Sequence, residues 1–192
     1  MIILKNINDI DKSSRRRCIS IGNFDGIHKG HMQLIKNTIE IAIKKNLIST
    51  ILTFDPMPEE FFDSKDFFRL MEMSDKYQIF DELGIDQVIP ILFNKDFSEI
   101  NKDDFVKDIL IHKLMIEHLI VGNDFQFGHK REGDISLLKS YENQGLYCLT
   151  VLDLVKTSNS KVSSRDIRAL IKDGRIKDAN TLMAMPFSLS GM

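Results

Sequence analysis

Short β-branched runs, each stopped by glycine or proline and followed by apolar residues at helical spacing, recur along this 192-residue chain. That alternation leaves few folds open to it. Cys18–Ile21 is apolar and stops at Gly22; from Gly30 onward Met32, Ile35, Ile39, Ala42 and Ile43 recur as one face of a helix. Ile48–Phe54 is apolar again and ends at Asp55-Pro56-Met57-Pro58, because proline offers no ladder donor. Strand, turn, helix and strand together have the length of one βαβ crossover. The same logic predicts a helix over Met73–Leu83 closed by Gly84, a strand over Gln87–Leu92 and an Asn101-capped helix to about His112 with Phe105, Ile109 and Leu110 inward. A strand over His118–Val121, a helix over Ile135–Tyr141 capped by Asp134 and a strand over Tyr147–Leu152 follow. A helix over Ser164–Lys172 capped by Ser163 and another over Arg175–Met183 complete the series. The expected fold class is α/β, a parallel sheet with helices on both faces.

Composition excludes several functions. With 26 basic against 28 acidic residues the net charge is −2, which does not fit a polybasic nucleic-acid binder. No apolar run approaches the ~18 residues of a membrane span, and Met1–Asn6 is too short for a secretory core. Cys18 and Cys148 sit in apolar stretches far apart, without the spacing of a disulfide scaffold or a metal motif. A cytoplasmic enzyme or binding domain is expected. Arg15–Arg17, just ahead of a strand, read as solvated, and His112, His118 and His129 show no pairing pattern.

Ligands of open parallel sheets bind beyond the carboxyl ends of the strands, where strand order reverses. The turn after Ile21, Gly22-Asn23-Phe24-Asp25-Gly26-Ile27-His28-Lys29-Gly30-His31, is therefore informative. Its glycines let backbone approach a ligand, and free amides at a helix start attract anions. His28 and His31, three apart, project from one side of a first helical turn. A polyphosphate suits this arrangement; a plain glycine-rich connection or a metal pair are the alternatives, though no carboxylate or third histidine has ligand-like spacing. Further on, Ser163 and Ser164 at a helix start with Arg168 one turn in can hold a phosphate, or can be a serine cap beside a solvated arginine.

Gly22–His31 resembles the GNFDGxHxGH signature of the FMN adenylyltransferase module of prokaryotic bifunctional riboflavin kinase/FAD synthetases. The likeness continues in the same order through Thr53-Phe54-Asp55-Pro56, Arg69-Leu70, Leu83-Gly84-Ile85-Asp86, Val121–Gly128, Gly133-Asp134 and Val162-Ser163-Ser164 with Ile167-Arg168. The resemblance implies a Rossmann-like nucleotidyltransferase fold and transfer of the adenylyl group of ATP to FMN, giving FAD and pyrophosphate. It implies catalytic roles for His28, His31, Ser163, Ser164 and Arg168, with a protonated or donor imidazole stabilising phosphate charge. Gly22, Asn23, Phe24, Asp25, Gly30 and Arg165 would bind ATP. Phe54, Phe62, Asp124 and Phe127 would bind the flavin, with Phe61 and Phe125 as further aromatic candidates. Mg²⁺ would bridge substrate phosphates rather than sit in a protein cage, so no protein metal ligand is expected. It further implies an adenylyltransferase-like domain over 1–186, residues 187–192 as the start of a junction to a riboflavin kinase module not represented here, and a separate riboflavin kinase as a possible partner.

Departures from the pattern qualify this. The family's ISSTxIR has a hydroxyl where this chain has Arg165, and its TFxPHP has a histidine where this chain has Met57. A related transferase with another phosphate-monoester acceptor, or a flavin or nucleotide binder with weakened catalysis, are the alternatives these departures raise.

Overall fold

The computed structural model describes residues 1–11, 15–62, 67–153, 156–157 and 160–187. Six parallel strands form one sheet: β1 (Ile2–Ile3), β2 (Arg17–Ile21), β3 (Ile48–Phe54), β4 (Gln87–Ile91), β5 (Ile116–Gly122) and β6 (Cys148–Leu152), in the order β1-β4-β3-β2-β5-β6. Side chains alternate across the pleat, and here both alternates are apolar. Ile19, Ile21, Leu52, Ile89, Ile91, Leu119 and Val121 bury on one face, while Cys18, Ile51, Val88 and Ile120 bury on the other.

The second face is covered by α1 (Lys29–Lys45), through Ile35 and Ala42, and by α3 (Met73–Leu83), through Ile79 and Phe80. Between them in sequence lies the short α2 (Pro58–Phe62). The first face is covered by Phe105, Val106, Ile109, Leu110 and Leu114 and by Leu138 of α6 (Ile135–Glu142). Helices α4 (Lys95–Ser98) and α5 (Lys102–Asp104) precede that segment. A hairpin of β7 (Lys156–Thr157) and β8 (Ser160–Lys161) leads to α7 (Ser164–Lys172) and α8 (Ile176–Leu182), which pack on Leu70 through Ile167 and Ala179. Among the described residues no helix is long and apolar enough to cross a membrane.

Three features differ from the sequence-based expectation. β1 is an added edge strand, too short to show a period. The Asn101-capped helix becomes a π-helix over Phe105–Lys113, where Leu114 N–H reaches Ile109 O at 2.8 Å. The inward residues 105, 109, 110 and 114 recur at four and five, which suits that wider turn. Arg17 is fully buried, not solvated: Nε donates to Gln87 Oε1 at 2.8 Å and Nη1 to Leu114 O at 3.4 Å. A guanidinium survives inside only when hydrogen-bonded, and burial pulls its pKa below the ordinary value. Of the expected junction, only Phe187 lies among the described residues, its N–H bonded to Asn180 Oδ1 at 2.8 Å.

From β2 the chain steps outward through β3 to β4, then returns to the other side of β2 for β5 and β6. The order reverses between β2 and β5, so the turns after these strands flank the crevice where a ligand would sit.

His118 on β5 is buried, its Nε2 2.8 Å from Thr150 Oγ1, and burial lowers its pKa from 6.5 to about 4. The unfolded chain therefore takes up this proton first, and the stability linked to it is lost as pH falls from 6.5 towards about 4. Urea unfolding should show up to about 2 kcal/mol of this loss between about pH 7 and about pH 5, and a smaller loss in His118→Gln.

Candidate active site

The turn after β2 is held from below by a carboxylate. Asp25 is fully buried; its Oδ1 accepts from Leu70 N–H at 3.0 Å and Met71 N–H at 3.2 Å, and its Oδ2 from Arg168 Nη2 at 2.6 Å. Burial pushes the Asp25 carboxyl up, while the Leu70 amide, Arg168 and Lys76 act the other way. Phe24 (φ 50°) and Ile27 (φ 34°) adopt left-handed backbone although neither is glycine, and both are fully buried. Phe24 meets Phe80 edge-on at 5.6 Å, so core packing offsets a backbone cost of about 1–3 kcal/mol per residue.

The hydroxyl–arginine segment is clasped to this turn. Ser164 Oγ donates to Asp25 O at 2.9 Å, and Ser163 caps α7 by accepting from Asp166 N–H at 3.2 Å. Arg168 Nε donates to Phe68 O at 2.9 Å and Nη1 to Glu59 Oε2 at 2.9 Å, and its guanidinium lies 4.4 Å from the Phe67 ring centre. Arg168, expected at a phosphate, is thus committed inward, because Asp25 needs a buried counter-charge. Arg165 is exposed and reaches Glu59 only at 4.0 Å, whereas Met57 is buried.

The imidazoles sit where this turn becomes α1. His28 is the N-cap, and its Nδ1 accepts from His31 N–H at 3.2 Å. The two rings stack at 3.6 Å with 15° between planes. A Cβ on Gly30 would stand 3.1 Å from His28 Cε1, so a side chain there would crowd the ring. Because His28 Nδ1 accepts, that ring is neutral and carries its hydrogen on Nε2. His31 Nδ1 is buried without a hydrogen-bond partner, and burial beside His28 and Lys76 pulls its pKa well below 6.5.

Lys76 was not expected here. It lies fully buried on the inward stripe of α3, and its Nζ donates to Asn23 O at 3.3 Å. A lysine in phase with Met73, Ile79 and Phe80 was the available signal.

The aromatic residues divide. Phe127 is buried against Phe105 and Phe125, and a Cβ on Gly133 would meet its ring at 2.5 Å. Its ring is therefore packed into the core with these neighbours. Phe54, at the end of β3, contacts Phe93 and Phe97, and Phe62 on α2 is 69% exposed beside Phe61 and Phe93. Rings thus run in contact from Phe61 and Phe62 through Phe93, Phe97, Phe105 and Phe127 to Phe125. Asp124 lines an open cleft of about 410 Å³ with Phe125, Arg131 and Ser136. That segment follows β5, which pairs with β2 over Cys18–Ser20.

A parallel sheet of this order, with a glycine-rich and histidine-capped turn at its reversal point, defines a doubly wound α/β protein with an anion-receptive crevice. Pantoate-beta-alanine ligase from Francisella tularensis, solved with beta-gamma ATP and beta-alanine, has the same fold: TM-score 0.55 at 15% identity, over 95% of this chain and 86% of that one. A crystal structure named for a macrolide-efflux protein from Streptococcus pneumoniae superposes with TM-score 0.84 at 26% identity, over 97% of this chain and 62% of that one. The chain belongs to the FAD synthetase family, whose sequence profile matches residues 10–166. It is 37% identical over its full length to a bifunctional riboflavin kinase/FMN adenylyltransferase from Buchnera aphidicola subsp. Schizaphis graminum, of which it spans 62%. It is 30% identical to an FAD synthetase from Listeria monocytogenes, over 95% of this chain and 74% of that protein.

Replacing Asp25 by Asn leaves Arg168 short of its buried partner. The change should lower unfolding free energy by about 3 kcal/mol or more, measured by urea denaturation, with Glu59→Gln costing less because Glu59 is half exposed.

Proposed function

We propose that this chain is an FMN adenylyltransferase, joining the adenylyl group of ATP to the phosphate of FMN to give FAD and pyrophosphate. The observation that carries the reading is the stacked His28–His31 pair at the start of α1, set at the reversal point of the sheet in a member of the FAD synthetase family. An FMN phosphate oxygen attacks the α-phosphorus of ATP in line, and the bond to the pyrophosphate oxygen breaks. No protein nucleophile is needed, so the protein's work is positioning and stabilising charge on phosphate oxygens.

In this reading, His28 donates through Nε2–H, and His31 and the amides around Gly30 complete the cradle for the triphosphate. Gly22, Asn23, Phe24 and Asp25 shape the nucleotide pocket through backbone, since the Phe24 and Asp25 side chains are turned inward. Ser163, Ser164 and Arg168 close the turn, and Arg165 supplies a cation at the mouth. Phe54 and Phe62 are the open part of the aromatic run available to an isoalloxazine, with Asp124 across the crevice as acceptor. Mg²⁺ arrives with the triphosphate as its counter-ion, taking phosphate oxygens as ligands. A riboflavin kinase, in the same longer protein or a separate one, supplies FMN, and a cytoplasmic location goes with this reading. A second reading, binding without catalysis, draws on Met57, which is buried and cannot reach a ligand, and on Arg165 in place of a hydroxyl.

Incubation with ATP, FMN and Mg²⁺, followed by chromatography, should yield FAD and pyrophosphate in equal amounts. Tight binding of either substrate with no pyrophosphate released would replace the first reading by the second. His31→Ala should lower turnover more than about tenfold, a barrier increase of about 1.4 kcal/mol.

A further inference from the structure

Lys76 is an expensive residue to keep where it stands. Its side chain is fully buried on the stripe of α3 that also carries Met73, Ile79 and Phe80. A methionine of similar length would pack there without desolvating a charge. The lysine adds a hydrogen bond from Nζ to Asn23 O at 3.3 Å, at the entry to the imidazole-bearing turn. Around the ammonium stand Asp25 of the same turn, Asp55 and Glu60 as further anions, and Arg69 as a cation. Arg69 is itself bound to Asp55 at 2.7 Å and Glu60 at 2.9 Å, so those carboxylates already have a partner. Asp25 is likewise paired with Arg168 at 2.6 Å.

We propose, building on the adenylyl-transfer reading above, that Lys76 is a positioning residue for ATP: its buried ammonium fixes the Asn23 carbonyl and sets a positive charge behind the His28–His31 pair, on the protein side of the triphosphate. The hydrogen bond orients the peptide that opens the cradle. The charge acts through the low-dielectric interior on whatever anion the cradle receives. It acts on His31 as well, where burial and then this charge oppose a proton on a ring whose Nδ1 is already without a partner. The rings therefore wait as neutral donors. ATP then meets donors that need not first exchange a proton with solvent.

Two variants separate the parts of this role. Lys76→Met removes both charge and hydrogen bond, and Lys76→Gln removes the charge while keeping a donor for Asn23 O. Nuclear magnetic resonance titration of the ligand-free protein, with the His31 signals assigned through His31→Gln, reads the charge directly. In both variants the His31 midpoint should rise above that of the unaltered protein. In steady-state assays the KM for ATP should rise about fivefold or more in Lys76→Met, while the KM for FMN stays within about twofold. An unmoved His31 midpoint, or equal changes in the two KM values, overturns the proposal. A lysine that merely held the fold would change thermal unfolding without moving either. If the unaltered protein forms no FAD, the adenylyl-transfer reading falls by itself. The His31 titration still tests the charge, and calorimetry with ATP replaces KM. Should Lys76→Met fail to fold, Lys76→Gln carries both readings.

Discussion

The carboxylate of Asp25 lies at zero exposure beneath the turn it belongs to, and the geometry of the crevice depends on how that charge is satisfied. Phe24 and Ile27 stand in left-handed backbone that neither residue favours, so the turn has no local reason to keep its shape. It keeps it because Asp25 is gripped from two distant parts of the chain, the Leu70–Met71 amides and the Arg168 guanidinium. Buried pairs of this kind often contribute no more net stability than an apolar replacement of equal volume. What this pair contributes is position. A charge that cannot be left alone inside forces the segment near residue 70, α7 and the turn into one arrangement, and the imidazoles inherit it.

Much of the fold was legible because its signals are local. Glycine and proline stops, together with a change of period from two to about 3.6, marked β2, β3, α1 and α3 to within a residue or two. The caps Asn101, Asp134 and Ser163 and the closing Gly84 stand where their chemistry indicated. His28 and His31 were legible for the same reason: residues three apart on a first turn share a side. Illegible features depend on partners far away in sequence. Arg17 looked like part of an exposed basic run; its burial draws on Gln87 and Leu114, both far from it in sequence. Arg168 fitted a phosphate ligand as well as it fits Asp25, and nothing near it in sequence chooses between them.

The aromatic residues show where a pattern underdetermines a site. Phe125 and Phe127 alternate, which says that they point together but not whether towards solvent or core. The missing Cβ of Gly133 admits the Phe127 ring and settles the matter for the core. Phe62, which looked no different in sequence, stands largely in solvent on a short helix. The contact run between them makes the walls after β3 and β5 parts of a single packed layer, so the two sides of the crevice are not independent surfaces.

The turn is also stitched to the far end of the described chain: His28 pairs with Met183 across an isolated antiparallel bridge, and Ala184 N–H reaches Ile27 O at 3.0 Å. Together with Ser164 and Arg168, these contacts come from segments made long after the strands they serve. A polypeptide leaving the ribosome therefore owns its sheet and both imidazoles well before it owns the stitches that hold them. The turn that carries the imidazoles is thus fixed only after α7 and the segment around Met183 and Ala184 have been made.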